Sequence, residues 1–162
     1  MFKRLFRAGK ICLHNKGFIN KISISKKDAR NIAYSVLSTK ILKAIPYRNV
    51  DSNVYIATLI RNNKNNLSNG FNYRIHILKK FGNTYTSIWN SKSIFKIDSF
   101  EVEDIDNDGN NEIIFVEGGS GTGTWIKKMN VYSTEEENLY IIEEVHDYNS
   151  LSSSYSPKVD KN

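Results

Sequence analysis

Cysteine is nearly missing from this chain. Cys12 is the single one among 162 residues, which excludes an internal disulfide and every multi-cysteine metal site. Histidine is scarce too: His14, His76 and His146 stand far apart, with no H-x-x-x-H pair and no second ligand at zinc spacing. No apolar run approaches the ~20 residues that a membrane-spanning helix requires. A secretory signal would need an unbroken apolar stretch of about 7–15 residues, and Lys10, His14 and Lys16 interrupt the scattered apolar residues near the start. An extracellular or cell-envelope setting is therefore expected only for a chain whose true start lies upstream.

Acidic residues are almost missing from the first part. Residues 1–50 hold twelve Lys/Arg against Asp28 alone, and residues 51–100 hold seven against two. The balance inverts in residues 101–162, where four bases face fourteen acids. A net charge of +6 thus hides a basic half and an acidic half, which can face each other or meet charged partners. Residues 1–24 carry only basic charge and are expected to be a flexible arm. The same composition suits a segment that lies on an anionic surface, with steeply salt-dependent binding to acidic lipid or nucleic acid as its mark. For the domain as a whole, nucleic acid is not the expected partner.

The acids that remain are concentrated. Asp104-Ile105-Asp106-Asn107-Asp108-Gly109-Asn110-Asn111-Glu112 places three aspartates at alternate positions, a glycine after the third and a glutamate at the ninth place. With Glu101 and Glu103, residues 101–112 contain six acids and no base, which repel one another at short range unless a cation joins them. Calcium takes six to eight oxygen ligands at roughly 2.3–2.6 Å. A curling backbone aims Asp104, Asp106 and Asp108 at one point, Gly109 permits the bend, and the Asn110 carbonyl and Glu112 carboxylate complete the protein ligands. An ion-free Asp/Asn/Gly turn needs no such spacing. An EF-hand is excluded, because its twelfth position must be a bidentate Glu and is Phe115 here.

The D-x-D-x-D-G-x-x-E spacing, entered from an apolar strand and left through Ile113-Ile114-Phe115-Val116, resembles the FG-GAP/VCBS repeat family. Such repeats form blades of β-propellers in which the acidic loop binds calcium. The resemblance covers roughly Ser93 to Tyr132 and implies Asp104, Asp106, Asp108 and Glu112 as side-chain ligands and Asn110 as the carbonyl ligand. A propeller has typically 4–8 blades, and one acidic loop is present, so the resemblance implies a calcium-binding β unit and not a whole propeller.

Around the loop, periodicity sets the elements. Ser25-Lys26-Lys27-Asp28 has the form of a capping box, and Ala29, Ile32, Ala33, Val36, Leu37 and Ile41 recur at helical spacing. The pattern predicts an amphipathic helix over about Lys26–Lys43, closed by Pro46. From Val54 onward, alternating and β-branched runs separated by turn residues predict hairpins. The expected fold is α+β, with one N-terminal amphipathic helix packed on a mainly antiparallel β-sheet of propeller-blade-like hairpins. Residues 25–147 form the domain, and the Ser-rich residues 148–162 are expected to be a disordered tail.

Other chemistry finds little support. Gly118-Gly119-Ser120-Gly121-Thr122-Gly123-Thr124 lacks the G-K-[ST] and following helix of a phosphate loop, and Ser120 lacks a nucleophile elbow. A contiguous acidic turn is also unlike the carboxylate pair of a glycosidase, which straddles a cleft. Trp89 and Trp125 are expected to pack in the core before they would stack on a sugar. The function expected is a non-catalytic, calcium-binding interaction or adhesion-like module, with a protein or glycan partner at Gly119, Ser120, Gly121, Thr122 and Trp125. The competing expectations are a metal-dependent hydrolase or its accessory subunit, and an anionic-surface binder acting through the basic N-terminus.

Overall fold

The computed structural model describes residues 24–61, 72–121, 124–147 and 153–158. The predicted basic arm therefore lies, up to Ser23, outside the described residues. Among those described, one helix and nine strands follow in the order α1 (Lys26–Leu37), β1 (Ile41–Arg48), β2 (Val54–Arg61), β3 (Tyr73–Phe81), β4 (Thr84–Asn90), β5 (Ile97–Glu103), β6 (Glu112–Gly121), β7 (Thr124–Ser133), β8 (Asn138–Asp147) and β9 (Ser153–Lys158). Strands β1–β4 form one antiparallel sheet and β5–β9 a second, each in sequence order. The class is α+β, with the helix on the four-stranded sheet. No described helix is long and apolar enough to cross a membrane.

The helix begins where the capping residues place it. Ser25 has extended backbone and its hydroxyl accepts from the Asp28 N–H at 3.1 Å, while donating to the Asp28 carboxylate at 2.7 Å. It ends earlier than predicted. Ser38 enters the left-handed region at φ 48° and its N–H closes on the Tyr34 carbonyl. Residues Ile41–Lys43, expected to be helical, instead open β1, and Pro46 lies inside that strand and ends no helix. Proline is tolerated there because β1 is an edge strand. A bulge between Ile41 and Lys43 turns both Ile41 and Ala44 toward the helix, which gives a strand the three-residue spacing of a helix.

Two apolar layers result. Ala29 and Ala33 carry no bulk beyond Cβ, so α1 settles closely on Ile41, Ala44, Ile56, Ile60 and Leu78. The other face of the same sheet (Tyr47, Tyr55, Ala57, Leu59, Ile75 and Ile77) packs on Phe100, Ile113, Phe115 and Tyr132 of the second sheet. Strand β2 is thus covered on both faces, which explains its nearly unbroken apolar sequence. Trp89 stacks on Tyr132 with ring centroids 4.2 Å apart, so it is a core aromatic. Ser153–Lys158 pairs with β8 as a ninth strand, where the sequence suggested only a polar tail.

Candidate metal centre

The acidic loop is the β5–β6 connection. Val102 and Glu103 pair with Ile113 and Glu112, so the two strands hold the ends of residues 104–111 together. Within this span the backbone folds around its own carboxylates. Asp104 accepts from the Asn107 N–H at 2.7 Å and the Gly109 N–H at 3.0 Å. Asp106 accepts from the Asp108 N–H at 3.2 Å, and Asp108 from the Asn110 N–H at 2.7 Å. One carboxylate oxygen from each of Asp104, Asp106 and Asp108 lies within 4.8 Å of the others. Ligands held at 2.3–2.6 Å from a common ion are at most about 5 Å apart, so this group of three is placed to hold a metal ion. Asp106 and Asp108 are exposed and Asp104 is half-buried, which leaves the oxygens reachable from solvent.

Two backbone positions need left-handed geometry. Asn107 has φ 65° and Gly109 φ 88°, and asparagine and glycine are the residues that adopt it at least cost. Gly109 is required for a second reason. A Cβ there would stand 2.3 Å from Val50 Cγ1, because the β1–β2 turn lies directly against the loop.

Glu112 sits at the loop's base and not in the exposed group. The residue is buried, 6% exposed, and its carboxylate accepts from the Ile105 N–H at 3.0 Å. Burial pushes its pKa up to about 7, and the negative charges of Asp106, Asp108 and Asp104 add to the rise; the Ile105 N–H opposes it. Glu103 is raised in the same way, by burial and by Glu101. A cation at the three aspartates would offset these repulsions.

The side chain of Asn110 is occupied by structure: its Nδ2 donates to Glu135 and its Oδ1 accepts from the Val50 N–H at 3.4 Å. Only its backbone carbonyl remains as the expected ligand group. Sequence reasoning missed the residues that brace the loop from outside. Asn49, buried at 3% exposure, accepts from the Asn111 N–H at 3.0 Å and donates to Thr134 Oγ1 at 2.9 Å. Asn111 Nδ2 donates to the Arg48 carbonyl at 2.9 Å. The β1–β2 turn, the acidic loop and the β7–β8 turn thus meet at one point. Glu135 belongs to an acidic run visible in the sequence, but no local pattern marks Asn49.

The glycine-rich residues lie elsewhere. Gly118–Gly121 continue β6 and pair with Lys127, Ile126, Trp125 and Thr124 of β7, so the expected loop is mainly a hairpin end. Thr122 lies outside the described residues, as do the side chains of Ser120 and Trp125. Glu112 and Gly121 are the two ends of β6, about 30 Å apart at about 3.3 Å per residue. The acidic loop and the glycine-rich end are therefore joined by one strand and are not in contact. His76 is half-buried in β3, with Nδ1 3.3 Å from Ser87 Oγ, and its pKa is lowered by burial and by Arg74.

Comparison with protein-family models, with curated proteins and with solved structures found no match.

Proposed function

We propose that the protein is a calcium-binding, non-catalytic interaction module of the FG-GAP/VCBS type. The observation that carries the reading is the convergence of Asp104, Asp106 and Asp108, each already oriented by N–H groups of its own loop. Preorganised oxygens lower the ordering cost of binding. An all-oxygen donor set suits a hard cation such as calcium, not a thiophilic metal. The Asn110 carbonyl and Glu112 complete the ligand set in this reading, and water fills the rest.

Bound calcium would neutralise the acidic corner where the turns of both sheets meet, and so fasten the two sheets together. The partner, protein or glycan, would meet the β6–β7 hairpin end around Gly119, Ser120, Gly121, Thr122 and Trp125. Since that surface lies at the far end of β6, its shape is set by strand pairing and only indirectly by the ion.

Isothermal titration of the metal-free chain with calcium tests this. One site per chain is expected, with affinity weakened at least about tenfold to a hundredfold in Asp106→Ala, the loss that removal of even an outer-shell partner of a ligand brings. Asp106 is exposed, so the variant should keep its fold. Equal affinity in wild type and variant, or no heat with millimolar calcium, would refute the proposal.

A further inference from the structure

Among the described residues, four strands form open sheet edges: β1 and β4 in the first sheet, β5 and β9 in the second. Three of them carry features that discourage a further strand. Strand β1 has Pro46 and a bulge, and its Ile41 and Leu42 carbonyls accept from the Arg30 guanidinium. Strand β5 bears Asp98, Glu101 and Glu103, and its Phe100 carbonyl accepts from Lys43. Strand β9 contains Pro157 and Lys158. Proline, charge and bulges are the usual means of blunting an edge.

Strand β4 differs. Thr84–Asn90 has no proline and no charged side chain, and among the described residues its outer edge pairs with no other segment. Its own irregularity, at Ile88 opposite the Ile77–Leu78 step, leaves Thr84–Ser87 in unbroken register with Leu78–Phe81. Phe81 and Ile88 flank that stretch at 51% and 42% exposure. Residues 72–97 contain five Lys/Arg and no Asp or Glu; Lys96 is paired with Asp98 at 3.0 Å, which leaves Lys79 and Lys80 as the bases beside β4. Lys79 and Lys80 stand across from Thr86 and Tyr85, and as successive strand residues they serve opposite faces of the sheet.

We propose that β4 is a docking edge for an extended, acidic segment of a partner protein, which adds to the sheet as a fifth strand. Main-chain hydrogen bonds to Thr84–Ser87 would hold it, as in other β-augmentation complexes. The added strand would lie about 9.5 Å from β3, two strand spacings away, a distance that an extended lysine and a glutamate span together. Its acids would meet Lys80 on one face and, on the other, draw Lys79 from its place over the Tyr55 and Phe81 rings, 5.4 and 5.7 Å from their centroids. A second copy of β4 would bring no acid to these lysines. The chain's own residues 1–23, with bases and no acids, would add charge of the same sign.

The test uses two synthetic peptides of about ten residues, one repeating Glu-Glu-Val-Val and the other Lys-Lys-Val-Val so that each carries charge on both faces, titrated into the isotopically labelled full chain. With the acidic peptide, amide shifts and slowed hydrogen exchange are expected at Thr84–Asn90, with the lysine peptide at least about tenfold weaker. Lys80→Glu, at an exposed position, should reverse that preference without moving the melting temperature. Shifts located elsewhere, no binding at millimolar peptide, or a preference unaltered by Lys80→Glu would overturn the proposal. So would a wild-type dimer that Ile88→Lys dissociates, since the edge would then belong to a second copy.

Discussion

Phe115→Ala is expected to lower the unfolding free energy by about 3–5 kcal/mol, the range for removing a fully buried aromatic ring. Phe115 is 2% exposed and lies in the cluster that joins the two sheets, with Ile113, Tyr132 and the inner face of β2 and β3 around it. Few rearrangements can refill the space, because both walls are strands fixed by their ladders. Urea unfolding measures the effect, with Ile114→Ala as the control. Ile114 is the next residue and points to the opposite, half-exposed face of β6, so it should cost clearly less. A larger loss from Ile114→Ala would mean that β6 presents its other face to the core.

The second large effect is a dependence on pH that calcium should reverse. Glu112 has a folded-state pKa raised to about 7 from an ordinary value of 4.5. The metal-free fold therefore binds its proton more tightly than the unfolded chain does. By linkage, this group's contribution favours folding most below the unfolded value and is lost as pH rises through about 7. Glu112→Gln removes the titration while keeping an acceptor for the Ile105 N–H. In chelator, the variant should be more stable than wild type at pH 8, and the gap should shrink steadily toward pH 5. Taking the difference between the two proteins also removes His76, whose lowered pKa acts in the opposite direction over the same range. With saturating calcium the order at pH 8 should invert, because the ionised Glu112 then faces a cation. A gap independent of pH in chelator would show that Glu112 is not held as a strained carboxylate.

How much of this was legible in the sequence depends on whether the signal was local. The capping residues Ser25 and Asp28, the β5–β6 acidic loop and the hairpins were carried by neighbouring residues and could be read. The helix end was not, because Ile41 continues the helical interval from Leu37 although it lies in a strand, and the left-handed Ser38 has no strong sequence mark. A division into two sheets was also invisible: alternation says which residues are buried, but not against which sheet. At the candidate site, the three aspartates were legible because one short loop supplies them all. Asn49 and Val50 come from 60 or more residues away along the chain, so only folding brings them to the loop. The glycine-rich run looked like a loop by composition, yet strand pairing with β7 overrode that local preference.

Calcium binding at the acidic loop is tested most directly by thermal melting of wild type and Asp106→Ala, each in excess calcium and in chelator. A ligand at about a hundred times its dissociation constant adds roughly 2.7 kcal/mol to the stability of the state that binds it, a shift of several degrees for a domain of this size. Calcium should raise the wild-type melting temperature by that amount and leave the variant near its chelator value. In chelator the variant should melt no lower than wild type, since it has lost a repelling charge. Identical melting of wild type with and without calcium would contradict the reading and reduce Asp104–Glu112 to an ordinary strand connection.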